Sequence, residues 1–139
     1  MNTEIKIKNT RIEVVRGDVL KERMNGHVIS SMSRGQFTED FLRKEVGGAL
    51  GTARELKKRQ IAFVALSFCG GNLPAKGSAK IMAQTVLKFI REDAEAFDEI
   101  IFYIMDDKIF EVFHKNVIGY LTYVTEVLGP GPYVTVDII

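Results

Sequence analysis

The chain has 139 residues, of which 46% are hydrophobic and 27% are charged. This size and balance are typical of one soluble domain spanning residues 1–139, and they exclude a disordered or fibrous protein. Lysine and arginine together number 19 and aspartate and glutamate 18, so the formal net charge is +1. A chain this close to neutrality is not expected to have nucleic acid or an anionic membrane as its partner.

Cysteine content and the N-terminal sequence bear on the compartment. Cys69 is the only cysteine, so the sequence predicts neither an intrachain disulfide nor a cysteine-rich metal site. The N-terminus mixes charged and apolar residues, unlike a signal peptide, and no apolar run approaches the ~20 residues of a membrane span. We expect a cytoplasmic protein with no metal and no cofactor.

Strand patterns dominate the first part of the chain. β-Branched residues recur from Ile5 to Val15 around a turn at residues 8–10, which predicts two strands. Another strand is predicted at residues 27–31. Residues 18–27 contain turn signals and no long periodic run.

Helices and buried strands alternate after this point. Apolar spacing predicts a short helix from residue 37 that ends at Gly47-Gly48, and a second helical stretch over residues 50–58. A six-residue apolar run at 61–66 predicts a central parallel strand.

The clearest helix is predicted at residues 78–91, where apolar residues follow i, i+3, i+4 spacing. Residues 99–105 form another apolar strand pattern, and Asp106-Asp107 opens the next helix. The alternation at residues 133–139 predicts a last strand.

Together these elements predict an α/β fold, a three-layer α/β/α sandwich with a mixed, largely parallel sheet. Ligands of such sheets bind beyond the carboxyl ends of the strands. The loops after Val15, Ser31, Leu66 and Met105 are therefore the candidate functional segments.

The loop of residues 67–72 has the composition of an anion site. Gly70 and Gly71 let the backbone approach a phosphate, and successive N–H groups can form a concavity for it. A glycine pair after a strand is also common for steric reasons alone. Asp18 could accept a hydrogen bond from an exocyclic amine, or it could cap the next helical turn.

Other polar residues leave their roles open. The loop carrying Ser31, Ser33, Arg34 and Gln36 suits a polyol or a phosphate, and equally suits a solvated surface. Cys69 cannot be tied to a histidine by sequence, and we place His114 on a charged helix face. We predict no catalytic residue.

Three segments resemble the macro domain family. The strand, glycine loop and proline Ile61-Ala-Phe-Val-Ala-Leu-Ser-Phe-Cys-Gly-Gly-Asn-Leu-Pro74 are similar to its phosphate loop, and the stretch from Glu99 to Phe113 is similar to its closing strand and helix. Val14-Val-Arg-Gly-Asp-Val19 resembles its Gly-Asp-Ile/Val signature. The resemblance covers residues 12–116, with an extra C-terminal strand at 129–139.

The resemblance implies a macro domain-like fold that binds ADP-ribose or a related nucleotide metabolite, with the aspartate of the signature at the adenine amino group. The ligand-binding residues it implies are Asp18, Val19, Ser31, Ser33, Gly35, Ser67, Phe68, Cys69, Gly70, Gly71, Asn72 and Asp106. A more distant resemblance links the chain to the N-terminal domain of leucyl aminopeptidases, which has a similar fold without nucleotide binding.

The chain also departs from the family pattern. Residues 30–36 read Ser-Ser-Met-Ser-Arg-Gly-Gln where macro domains carry an asparagine-rich segment, and the section between residues 48 and 61 is short. We therefore expect binding without strong catalysis. One alternative is a macro-like interaction or homo-oligomerisation module that uses the strand at 133–139. Another is a weak hydrolase of an ADP-ribose ester or phosphate, using a water held by the substrate.

Overall fold

The structure is a computed structural model and describes residues 4–17, 28–31, 39–65, 75–127 and 136–138. Its elements are β1 (Glu4–Ile7), β2 (Thr10–Arg16), β3 (Val28–Ser31), α1 (Glu39–Glu55), β4 (Gln60–Ala65), α2 (Ala75–Glu92), β5 (Glu99–Ile104), α3 (Asp107–Val127) and β6 (Val136–Ile138). Among these helices, none combines the length and apolar character that a membrane span needs.

The strands form one six-stranded sheet in the order β3-β4-β5-β2-β1-β6. β3, β4, β5 and β2 are parallel neighbours, whereas β1 runs antiparallel to both β2 and β6. The predicted α/β fold with a mixed, largely parallel sheet is confirmed. The C-terminal strand joins the sheet of its own chain, with Ile138 opposite Ile5.

All three described helices cover one face of the sheet. α2 lies between α1 and α3, α1 contacts β4, and α3 contacts β1, β2 and β5. At the centre, the ring of Phe102 stacks on Phe63 at 5.4 Å between centroids and meets Phe113 at 5.7 Å. Each of these three side chains is at most 1% exposed, so this layer contains the main apolar core.

The opposite face of the central strands is also buried. Ala62 is 0%, Ile101 6% and Tyr103 5% exposed, and these three side chains form a second, smaller cluster. Burial on both faces explains why β4 and β5 read as continuous apolar runs. The described residues place no helix on this face, so they do not include the second helical layer of the predicted sandwich.

Helix α1 corrects the predicted stop at Gly47-Gly48, because it continues without interruption to Glu55. A glycine inside a helix costs about 1 kcal/mol relative to alanine. The buried stripe of Leu42, Val46, Leu50 and Ala53 keeps its spacing across the glycines, and packing of that stripe outweighs this cost.

The turn that terminates the helix instead contains a lysine in the left-handed conformation. Lys57 has a φ of 56°, and the backbone N–H of Lys58 donates to the carbonyl of Ala53 at 2.9 Å. This geometry is that of the helix-ending motif usually built on glycine.

Helix α3 corrects the predicted exposure of His114. The residue is 5% exposed, its ring stacks on Phe110 at 5.0 Å, and its Nε2 lies 3.4 Å from Oε2 of Glu111. His114 follows Phe110 by four residues and therefore shares its buried stripe. The prediction of a charged helix face was wrong here. The buried stripe of α3 includes a histidine, and a pattern based on aliphatic and aromatic residues alone does not count it.

Candidate functional site

The carboxyl ends of the four parallel strands lie in register. Ser31 of β3 is opposite Val64 of β4, Val64 is opposite Tyr103 of β5, and Tyr103 is opposite Val15 of β2. Adjacent strands lie about 4.8 Å apart, so the segments that follow these strands start side by side. They are the segments that the sequence singled out. We call this boundary of the sheet the carboxyl edge.

Two contacts join the ends of β2 and β5 at the carboxyl edge. The backbone N–H of Gly17 donates to the carbonyl of Ile104 at 3.0 Å. Nη1 of Arg16 lies 3.0 Å from Oδ1 of Asp107, with 60% and 76% of the two side chains exposed. These contacts hold the end of β2, which precedes Asp18 in the chain, next to the end of β5, which precedes Asp106.

Asp106 is the N-cap of α3. Its Oδ1 accepts a hydrogen bond from the backbone N–H of Ile109 at 2.9 Å, and its carbonyl accepts one from Phe110 at 2.8 Å. A cap of this kind accounts for an aspartate at this position without a ligand. Asp106 is exposed, and its neighbour Met105 is 54% exposed. Contact between Asp106 and a nucleotide stays a prediction.

The remaining predicted binding residues are placed as follows. Ser31 is the last residue of β3 and so lies at the carboxyl edge. The others lie outside the described residues, namely Asp18, Val19, Ser33, Gly35, Ser67, Phe68, Cys69, Gly70, Gly71 and Asn72.

The start of α2 differs from its prediction in a way that affects anion binding. The expected gap over residues 74–77 is wrong, since α2 begins at Ala75, three positions after Asn72. The first N–H groups of a helix lack partners within it, and the helix dipole makes that end positive. The positive end of α2 therefore follows the candidate phosphate loop closely in the chain.

The first turn of α2 also lacks the acidic side chains that begin the other two helices. α1 opens with Glu39 and Asp40 and α3 with Asp107, whereas the first turn of α2 has no acidic residue and contains Lys76. Acidic side chains in that turn would neutralise the positive end. An anion can therefore occupy this helix start without competition from α2's own carboxylates. The sequence already carried this signal, and the initial interpretation missed it.

Ser78 is a second feature of α2 that the sequence interpretation missed. It is 1% exposed, and its Oγ has no hydrogen-bond partner among the described residues. A buried hydroxyl without a partner is costly, and such groups call for an explanation. It lies within the first four residues of α2.

In the described ranges, no group of three or more His, Cys, Asp or Glu side chains is placed to hold a metal ion. The described residues of the carboxyl edge are strand ends and helix starts. Such a set suits an anionic, hydroxyl-rich ligand.

Comparisons with known proteins identify the fold. No family model matches the chain, and no curated protein matches its sequence. Among solved structures, the chain is similar to a Trypanosoma brucei macrodomain in complex with ADP, at 24% identity and a TM-score of 0.54 over 59% of this chain. The chain has a macro domain fold.

A second crystal structure of the trypanosomal macrodomain gives the same result, at 24% identity and a TM-score of 0.55 over 61% of this chain. In both cases the match covers 35% of the longer trypanosomal chain. The resemblance predicted from the sequence is thus confirmed at the level of the fold. Between β3 and β4 the described residues contain one helix, α1.

Proposed function

We propose that this chain binds ADP-ribose or a related nucleotide at the carboxyl edge of its sheet. The observation that carries the proposal is the alignment of the four parallel strand ends, with the positive start of α2 following the glycine loop. Crevices beyond such strand ends are the usual ligand sites of open α/β sheets. A trypanosomal macrodomain of similar fold was solved with ADP.

Each part of the ligand has a proposed partner. The loop of residues 67–72 would hold the diphosphate through its backbone N–H groups, assisted by the start of α2. Asp18 would accept a hydrogen bond from the adenine amino group, next to Val19. Phe68 would cover the ligand, and Ser31, Ser33 and Gly35 would lie near the distal ribose.

Binding without strong catalysis fits the residues better than turnover. The proposed site draws on hydroxyls, backbone donors and two aspartates, and no histidine lies in the candidate loops. A weak hydrolase remains the catalytic alternative, because a water held by the substrate's phosphates needs no protein base. The interaction-module alternative has the C-terminal strand extend the chain's own sheet or that of a partner, and β6 pairs with β1 of its own chain. This pairing is compatible with that alternative.

Isothermal titration calorimetry with ADP-ribose, ADP, AMP and ATP tests the proposal. Saturable binding that prefers ADP-ribose is expected. Gly70→Val should weaken it at least about tenfold, which corresponds to 1.4 kcal/mol, because a branched side chain obstructs the approach of the backbone to the phosphates. Gly51→Ala is the matched control, since among the described residues a Cβ there meets no atom within 4 Å beyond its own stretch of helix.

Two results would count against the proposal. A folded wild-type protein that releases no heat with any of these nucleotides has no such site. Unchanged affinity in Gly70→Val would move the site away from the glycine loop. Release of ADP-ribose from an ADP-ribosylated protein, followed over time, would distinguish the hydrolase from a plain binder.

A further inference from the structure

The outward face of α2 carries a regular row of cations. Lys76, Lys80 and Lys88 are exposed and stand at multiples of four residues, with Gln84 completing the spacing and the exposed Arg91 on the same side. Residues four apart in a helix are separated by a rise of about 6 Å and lie on one face. The row therefore extends over roughly 20 Å. We call these four cations the α2 basic row.

The α2 basic row is not ion-paired in the described part of the chain, although Glu92 follows Lys88 by four residues on the same helix. None of its four side chains forms an ion pair there, whereas the exposed arginines Arg16, Arg43, Arg54 and Arg59 all do. Like charges four residues apart repel each other and destabilise a helix. The near-neutral total charge of the chain conceals this local excess.

A groove of about 450 Å³ between α1 and α2 adjoins the α2 basic row. Its lining residues are Arg43, Gly47, Gln84, Thr85, Lys88, Phe89 and Glu92. Lys88 belongs to both features, and Arg43 adds a cation from α1. Phe89 is half-buried, with the guanidinium of Arg54 4.8 Å from its ring centroid. The groove thus joins two cations, Arg43 and Lys88, to one carboxylate, Glu92, an aromatic ring and an amide.

We propose that the α2 basic row and this groove bind the sugar–phosphate backbone of a single-stranded nucleic acid. Cations spread along roughly 20 Å of helix do not converge on one small anion, so they suit a polymer with repeated charges. Proteins that bind single strands combine a positive surface with aromatic side chains on which bases stack. Phe89 favours this occupant over an acidic peptide, which offers no base to stack.

This surface is independent of the nucleotide site proposed above. Lys80, Lys88 and Arg91 lie beyond the first turn of α2 and face outward, away from the candidate phosphate loop in the chain. Changes at these three positions should therefore leave ADP-ribose titrations unaltered, so failure of one proposal can be told from failure of the other.

Fluorescence anisotropy with a labelled oligothymidylate of about 20 nucleotides, titrated at several salt concentrations, tests the inference. We expect binding at low salt that weakens as the salt concentration rises. A plot of the logarithm of the binding constant against the logarithm of the salt concentration should have a slope of about −2 to −3 if three or four phosphates are neutralised. The double variant Lys80→Gln/Lys88→Gln should lose at least about tenfold in affinity at low salt and about 1.4 units of slope.

The matched control is Lys57→Gln/Lys58→Gln, which removes the same charge from two exposed lysines at the end of α1. It should retain wild-type affinity. Phe89→Leu should weaken binding about fivefold or more while leaving the slope unchanged, because stacking is not a counterion effect. Circular dichroism melting would establish that each variant is folded.

Three outcomes would overturn the inference. The first is no binding of the wild type at low salt. The second is an equal loss in the control, which would indicate attraction to net charge alone. The third is full competition by polyglutamate with no effect of Phe89→Leu, which would assign the surface to an acidic protein partner.

Discussion

The two edges of the parallel strands are held together differently. At the amino edge, the buried hydroxyl of Thr10 donates to the carbonyl of Phe97 at 2.7 Å, and Arg59 forms two hydrogen bonds to the carboxylate of Asp98 at 2.7 and 2.9 Å. At the carboxyl edge, the described contacts are one backbone hydrogen bond, one helix cap and the exposed Arg16–Asp107 pair.

This difference separates stability from function. The amino edge joins residues far apart in sequence through the buried Thr10 hydroxyl and the exposed Arg59–Asp98 pair. Changes there should lower stability and leave ligand affinity alone. The candidate loops follow the strands at the carboxyl edge, so changes there should act mainly on ligand affinity. In sheets of this kind, ligands bind at the carboxyl ends of the strands. The predictions below test this division, from the largest effect to the smallest.

Phe97→Ala should cause the largest loss of stability, about 3–5 kcal/mol, because it empties a buried aromatic position. Phe97 is 1% exposed, and its ring lies 5.6 Å from that of Phe89. Urea denaturation measures the loss. Leu56→Ala, at a position that is 59% exposed, is the control and should stay within about 0.5 kcal/mol. Similar effects of the two variants would contradict the assignment of the amino edge to stability.

Thr10→Val should cost about 1–3 kcal/mol, because it keeps the shape of the side chain and leaves the carbonyl of Phe97 without its hydroxyl donor. Thermal denaturation of Thr10→Val, compared with that of Thr10→Ser, isolates the contribution of the hydrogen bond, because serine retains the hydroxyl. Nucleotide affinity of the folded variants should be unchanged. A loss of affinity in Thr10→Val alone would show that the two edges are coupled.

Asp106→Ala should cost about 1 kcal/mol through loss of the α3 cap, whereas Asp106→Asn should keep the cap and the stability. Chemical denaturation measures both. Calorimetry with ADP-ribose then separates the two roles of Asp106. Reduced affinity in the stable asparagine variant would support a ligand contact, and unchanged affinity would assign the side chain to the helix alone.

Glu13→Gln should have the smallest effect, a gain below about 1 kcal/mol at neutral pH. Nη1 of Arg11 lies 2.7 Å from Glu4, and the same guanidinium also bonds to Glu13 and Glu99, so three carboxylates share one cation. Burial, together with neighbouring Glu4, raises the pKa of Glu13 above its ordinary value.

The sign of the pH dependence follows from this shift. A carboxyl whose pKa is raised in the folded state holds its proton more tightly there than in the unfolded chain, so the wild type loses stability as pH rises through that window. Glutamine does not titrate. The advantage of Glu13→Gln should therefore grow as pH rises above about 4.5 and vanish below it, as measured by urea denaturation at several pH values. A stability gain of Glu13→Gln that is independent of pH would show that titration of Glu13 is not its cause.

Much of the fold could be predicted from local patterns, and the site only in part. β1, β2, β4, β5 and α2 were predicted within a few residues, because alternation, apolar runs and helical periodicity are local properties. The candidate loops were chosen from the rule for parallel strands, and the register of β3, β4, β5 and β2 places their starts together. The roles of Asp18 and of the loop at 67–72 stay predictions from the resemblance.

The sequence by itself determined the elements, the α/β class and the resemblance to macro domains, since all three depend on residues close together in the chain. Only the tertiary structure decided the order of the strands, the pairing of β6 with β1, the continuity of α1 through Gly47-Gly48 and the burial of His114. Each of these depends on which distant surfaces meet. The energy of that packing outweighs local propensity, and local propensity is what the sequence pattern reports.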